Sequence, residues 1–199
     1  MSEYSLIKIY QIMEPNRTLI IDKAAQIIIN SGLEALTISN LEMEVGVDKD
    51  QLNHQFTKVD DILLVILVCF ETELNDIVQE ITNKGIVPET GLQLLFKRLY
   101  SLFLLKPYYL SIIFDKNLAE RDYTVKMAIL RIMNIAETYL STIIDAGKTD
   151  HTFKTKVSTK LLINEILSGF RMFMKEEKHV HEMIPELKKT LKNEYNDEG

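Results

Sequence analysis

Tryptophan is absent from these 199 residues, and cysteine occurs once, at Cys69. One cysteine closes no disulfide within the chain. That excludes the stapled scaffold of a small secreted domain and fits a reducing compartment. An inert buried thiol is the expectation for Cys69. Proline (four) and glycine (seven) are scarce, so tight turns are few and long uninterrupted helices are expected. No sustained period-two alternation marks a half-buried strand. No uninterrupted apolar run approaches the roughly 20 residues that cross a bilayer; the longest, Ile62 to Phe70, is too short. The first residues carry Glu3 and Glu14 and lack the basic-then-apolar pattern of a secretory leader. A cytoplasmic chain without a membrane segment is expected. Cations are also in short supply: 23 Lys and Arg against 29 Asp and Glu leave a net charge of −6.

What is present is an apolar content of 46%, ample for a core, in a length that suits one medium domain or two small ones. The most organised stretch runs from Arg17 to Leu63. Ile20, Ala24, Ile27, Ile28 and Ser31 follow helical spacing, which predicts a helix over 17–31 with Asn16 as its N-cap. The Ala24-Ala25 pair admits a close neighbour, and Gly32 suits the left-handed position past a helix end. Thr37 is placed to cap a short helix over 38–45, in which Ile38, Leu41 and Val45 form one apolar stripe. Gly46 and Val47 supply a turn, and Asp48 is placed to cap a third helix over 49–55, anchored by Leu52 and Phe56. Two short helices joined by a glycine-containing turn of three or four residues make a helix-turn-helix.

This spacing resembles the amino-terminal domain of the tetracycline-repressor (TetR) family of transcription regulators. Arg17, Ala24, Ala25, Gly32, Thr37, Ile38, Leu41, Gly46, Val47, Leu52 and Phe56 stand where that family has equivalents. The resemblance implies an all-α fold: an amino-terminal three-helix helix-turn-helix domain (residues 1–59) and a larger helical effector-binding and dimerisation domain (60–199). It also implies a homodimer that binds double-stranded DNA and answers to a small apolar or amphipathic effector, with repression as the family default. In the third helix, Gln51, Asn53, His54 and Gln55 have the chemistry to read base edges, since Gln and Asn pair bidentately with adenine. Lys49 and Lys58 are candidates for phosphates, and Thr37 completes the DNA-binding set.

The head also departs from the family pattern. Glu42 stands in place of an alanine, Asp48 in place of a small or hydroxyl residue, and Asp50-Gln51 in place of glycine and a small residue. Asn53 replaces a phosphate-reaching tyrosine, and Val59 replaces a lysine, although Lys58 is adjacent. Residues 1–65 hold five cations against ten acids, a net of −5. DNA affinity comes largely from neutralising phosphates, so a second reading stays open: the same fold with a degenerate acidic head that serves protein or ligand binding.

Beyond the head, Asp60 or Asp61 opens a long helix to about Lys84, closed by Gly85, with acids that suit the positive end of its dipole. Further helices are expected over 90–105, 107–118, 122–146 (ending at Gly147), 155–177 and 180–195. The start of the chain, 1–15, reads as an apolar arm ending at Pro15. Effector-pocket candidates are Phe96, Tyr100, Phe103, Tyr108, Tyr109, Met127, Met133 and Phe170, because bundles place ligand sites between helices. Tyr100, Tyr108 and Tyr139 are the expected polar handles. The amphipathic stripe Leu162, Ile166, Gly169, Phe170 and Phe173, with Leu187 and Leu191, is the candidate dimer interface; the alternative is intramolecular core. Gly147-Lys148-Thr149 imitates the end of a phosphate loop but lacks the preceding strand and reads as a helix C-cap. His179 and His181 do not share a helix face, so no metal site is assigned. No nucleophile motif appears, and no cofactor or catalytic residue is assigned.

Overall fold

In a computed structural model the described residues are 15–46, 49–115 and 117–174, and among them all regular structure is helical. In chain order the helices are α1 (Pro15–Ser31), α2 (Ile38–Val45), α3 (Lys49–Gln55), α4 (Val59–Asn83), α5 (Pro88–Leu105), α6 (Tyr108–Ile113), α7 (Leu118–Arg121), α8 (Tyr123–Thr149) and α9 (Thr159–Phe173), with a 3-10 turn at Leu33–Ala35. The expected arm, the capping role of Asp48 and the helix over 180–195 lie outside the described residues.

The chain divides into two compact units, Met1–Glu73 with Lys106–Ile132, and Leu74–Leu105 with Met133–Gly199. In the first unit α1 packs on α2, on the 3-10 turn and on α6, and α2 packs on α3. Its core holds Ile20, Ala24, Ile28, Leu41, Leu52 and Phe56 together with Ile62, Leu63, Ile66 and Leu67 of α4. Those from α1 to Phe56 are the apolar positions that the sequence reading singles out; those of α4 fall in the apolar run Ile62 to Phe70. The core of the second unit includes Leu92, Leu95, Phe96, Leu140, Ile144, Leu162, Ile166 and Phe170. Gly91 lets α8 come close: a Cβ there would lie 2.5 Å from Ile143 Cδ1.

Several boundaries differ from the sequence expectation, each for a local reason. Helix α1 begins at Pro15, where the fixed φ and missing N–H of proline suit a first turn. Asn16 therefore lies inside the helix rather than capping it. The single helix expected over 107–118 is two. It breaks because Asp115 Oδ1 accepts from the backbone N–H groups of Asn117 (2.8 Å) and Leu118 (2.9 Å), a local capture that competes with helix continuation.

Gly147 does not cap α8. The helix runs on to Thr149, and the glycine is there because the Phe153 ring lies on it: a Cβ would meet Phe153 Cδ2 at 2.2 Å. The left-handed residue past this helix is His151 (φ 60°). Helix α9 starts at Thr159 rather than 155, because Thr155 Oγ1 accepts from Val157 N and Ser158 Oγ accepts from Leu161 N. Helix α8 is long and apolar enough to cross a membrane by length and composition. Of its apolar window 28% is buried, and Val125, Ala128, Ile132, Tyr139 and Ile143 are among its buried residues.

Candidate nucleic-acid interface

The helix-turn-helix is held by short-range chemistry. Thr37 Oγ1 accepts from Asn40 N at 3.2 Å, satisfying one of the free donors at the start of α2. The Asn40 amide donates to Ala35 O at 2.7 Å and fixes the entry into the helix. Gly46 ends α2 at φ 71°, and its N–H donates to Glu42 O. Only glycine takes that conformation without strain. Leu41 and Leu52 are fully buried and anchor both helices of the motif. The Arg17 guanidinium lies 4.8 Å from the centroid of Phe56, a cation–π contact between the first helix and the end of the third.

On this frame Asp50, Asn53 and His54 of α3 are exposed, Gln55 is half-buried and Thr37 is exposed. The side chains of Lys49 and Gln51 lie outside the described ones. Acids border the motif, with Glu44 exposed and Glu42 half-exposed, and between them Met43 is 76% exposed. The head's cations are partly committed to protein: Arg17 to Phe56, and Lys58 to an ion pair with Asp122.

That ion pair belongs to a small cluster at the mouth of α4. Thr57 N and Lys58 N both donate to Asp61 Oδ2 at 3.1 Å, capping the helix. Arg121 Nε lies 3.0 Å from Asp60 Oδ1. Asp122 Oδ1 caps α8 by accepting from Thr124 N (2.8 Å), Thr124 Oγ1 (2.5 Å) and Val125 N (3.2 Å), while Oδ2 receives the Lys58 ammonium. The hydrogen bond from Lys58, followed by that from Thr124, holds the Asp122 carboxyl far below its ordinary range. The hydrogen bond to Asp122 correspondingly raises Lys58. Sequence reasoning found Lys58 but not Asp60, Arg121 or Asp122 as its neighbours. Asp122 was readable as the start of a helix, yet nothing in the sequence pairs it with a lysine 64 positions earlier.

A second polar cluster is interior. Glu73 is 4% exposed. Its Oε1 accepts from Lys106 Nζ and from the Tyr109 hydroxyl (3.3 Å), and Oε2 has no hydrogen-bond partner. Burial, then Glu73, push the Tyr109 hydroxyl well above its ordinary range. Cys69, one turn before Glu73, is buried and its thiol is raised by burial.

The effector-pocket candidates fall in both units. Phe96, Phe103 and Phe170 are buried together in the second, with ring centroids 5.7 and 6.1 Å apart; Tyr100 and Met133 are half-buried there. Tyr109 is buried and Tyr108 half-buried in the first unit, their centroids 4.7 Å apart, and Met127 is 36% exposed. The Tyr139 hydroxyl is buried without a partner, and burial pushes it up to about 12. None of these residues lines the cleft of about 480 Å³ in the first unit, whose walls are Leu33, Glu34, Leu36, Thr37, Asp115, Asn117, Leu118 and Arg121. Of the dimer candidates, Leu162, Ile166 and Phe170 are buried within the protomer and Gly169 is half-exposed. The Phe173 side chain, Leu187 and Leu191 lie outside what is described.

Among solved structures, the ketosteroid regulator KstR2 of Mycobacterium tuberculosis superposes with a TM-score of 0.77 at 16% identity, covering 92% of this chain and 97% of that one. The TetR-family regulator PfmR of Thermus thermophilus gives 0.72 at 17% identity, covering 87% and 96%. The fold is that of the TetR-family regulators. Bacillus subtilis FadR, solved in complex with stearoyl-CoA, shares the TetR fold with a TM-score of 0.66 at 15% identity, covering 88% and 97%. No protein-family model and no curated protein matches the sequence.

Proposed function

We propose that this chain is a ligand-responsive, DNA-binding transcriptional regulator that works as a homodimer, with repression as its default. The observation that carries this is the helix-turn-helix: Thr37 capping α2, Gly46 left-handed in the turn and α3 presenting exposed Asn53 and His54, all within a TetR fold. Residues 1–59 act as the DNA-reading head, with Gln51, Asn53, His54 and Gln55 reading bases and Thr37, Lys49 and Lys58 positioning the backbone. Residues 60–199 bind effector and partner. Leu162, Ile166 and Phe170 are taken up by the protomer's own core, so the dimer contact is assigned to the opposite, outer side of α9, where Leu161 is 49% exposed, and no enzymatic step is involved.

The effector is apolar or amphipathic, and the candidates that the second unit brings together for it are Phe96, Tyr100, Phe103, Met133 and Phe170. The neighbouring FadR structure holds stearoyl-CoA, an apolar chain on a polar carrier, which supports that class. The buried, unpartnered Tyr139 hydroxyl offers a polar anchor. The effector must favour the form that does not bind DNA.

The test is a double substitution, Gln51→Ala with Asn53→Ala. Binding to the DNA upstream of the chain's own gene should fall on the order of 100-fold, with little loss on scrambled DNA, since each good base contact is worth about 1–3 kcal/mol. Equal losses on both contradict base reading. The pairing of Lys58 with Asp122 favours a second reading, in which an acidic head has left DNA for a protein partner. Absence of binding to either DNA selects it.

A further inference from the structure

The cluster at the mouth of α4 contains two partners of unequal freedom. Asp122 is fixed: three donors from its own helix hold Oδ1, so Oδ2 points where the cap dictates. Lys58 is fixed only at its backbone, through Lys58 N on Asp61 Oδ2. Its side chain is 50% exposed and ends in a flexible ammonium. If one member of the pair changes partner, it is the lysine. Its alternative partner is another anionic oxygen, and the DNA backbone supplies these at one charge per about 1.7 Å of duplex.

Resting on the reading of the head as a DNA binder, we propose that Asp122 is a built-in competitor for the phosphate-binding cation Lys58. A carboxylate at the start of α8 thereby limits how strongly the head engages DNA. The competition matters because the head is poor in cations: residues 1–65 hold five against ten acids, and Arg17 is already on Phe56. One committed lysine is a large share of the phosphate-binding capacity. Asp122 and Arg121 are adjacent, and Lys58 and Asp60 flank Val59, so the two ion pairs tie the end of the head to the α7–α8 corner through four neighbouring residues. A phosphate contact by Lys58 requires it to leave that corner or share its donors with it.

Asp122→Asn isolates the effect. Asparagine keeps an oxygen for the Thr124 and Val125 N–H groups and remains a good N-cap. It presents an amide donor, not an acceptor, to the ammonium. Binding of a fluorescein-labelled duplex from upstream of the chain's own gene is followed by anisotropy across a salt series, with a scrambled duplex beside it. Asp122→Asn should tighten both duplexes about two- to fivefold at low salt, the scale of an exposed ion pair. It should also steepen the log–log salt slope by about 0.9, one phosphate contact.

Lys58→Gln in the same background should abolish that gain. Glu120→Gln, which removes an equal charge two residues away, should give less than half of it. Unchanged affinity in Asp122→Asn while the parent binds overturns the inference and leaves the DNA reading standing. A gain that persists with Lys58→Gln, or is matched by Glu120→Gln, reduces it to general charge removal and overturns it as well. Failure of every variant to bind either duplex at the lowest salt removes the DNA reading and the inference with it.

Discussion

Two lysine–carboxylate pairs in the same compact unit behave as opposites. Glu73 is 4% exposed and Lys106 23%; Asp122 is 14% exposed and Lys58 50%. In the first pair the carboxylate has left water altogether, and Lys106 and Tyr109 are what make its burial tolerable. In the second the ammonium remains in solvent, where an ion pair contributes little and exchanges readily. The lesson is that an identical pairing of charges is structural in one place and available for binding in the other. Burial of the partner decides which.

Breaking the interior pair should have the largest effect. Lys106→Met leaves the Glu73 charge buried without its cation and should lower unfolding stability by about 2–4 kcal/mol, measured by urea denaturation. Adding Glu73→Gln should restore much of that loss, because the uncompensated charge goes with it. A small loss for Lys106→Met alone would mean that water reaches Glu73.

A carboxylate shared by two cations sharpens the scale. Glu80 accepts from Lys84 and Arg98, each at 2.7 Å, and Lys84, then Arg98, hold its carboxyl at about 2 against an ordinary 4.5. A depressed carboxylate contributes stability above its unfolded value and loses it as pH falls toward the folded one. Both cations are about half exposed and solvent screens the pairs, so the stability difference between the parent and Glu80→Gln should be only a few tenths of a kcal/mol near neutrality. It should vanish as pH drops from about 4.5 to about 2. A difference that is constant across this window contradicts the assignment.

The smallest thermal effect belongs to Asp122→Asn. It keeps the cap and removes only an exposed pair, so the urea midpoint should stay at the parent's value within the scatter of the measurement. A loss as large as that of Lys106→Met would place the outer pair with the inner one.

How much was legible in the sequence depended on range. The helix-turn-helix was readable because its determinants are local: the Thr37 cap, the left-handed Gly46 and the apolar spacing of Leu41, Leu52 and Phe56 all act within a few positions. Gly147 was misleading for the opposite reason. A glycine after a periodic run looks like a cap, and only the Phe153 ring, which folds back onto it, shows that it is a packing site. The break after α6 had a local signal that went unused, an Asp115 two residues before Asn117, the spacing of a side-chain turn.

Glu73 drew no attention in the sequence, because the lysine that makes its burial tolerable lies 33 residues away. Asp122 was readable as a helix start and not as the partner of Lys58. The base-reading set rests on residue type and on resemblance, since its determinants are contacts with a partner rather than with the chain itself.

The most direct test of DNA recognition is the salt dependence of binding by the unmodified protein to the DNA upstream of its own gene, by fluorescence anisotropy with scrambled DNA in parallel. The DNA-reading account requires binding at least about tenfold tighter to the upstream duplex at low salt. It also requires a loss on the order of 100-fold between about 50 and 200 mM salt, as several phosphate contacts demand. No binding to either duplex at the lowest salt would contradict it.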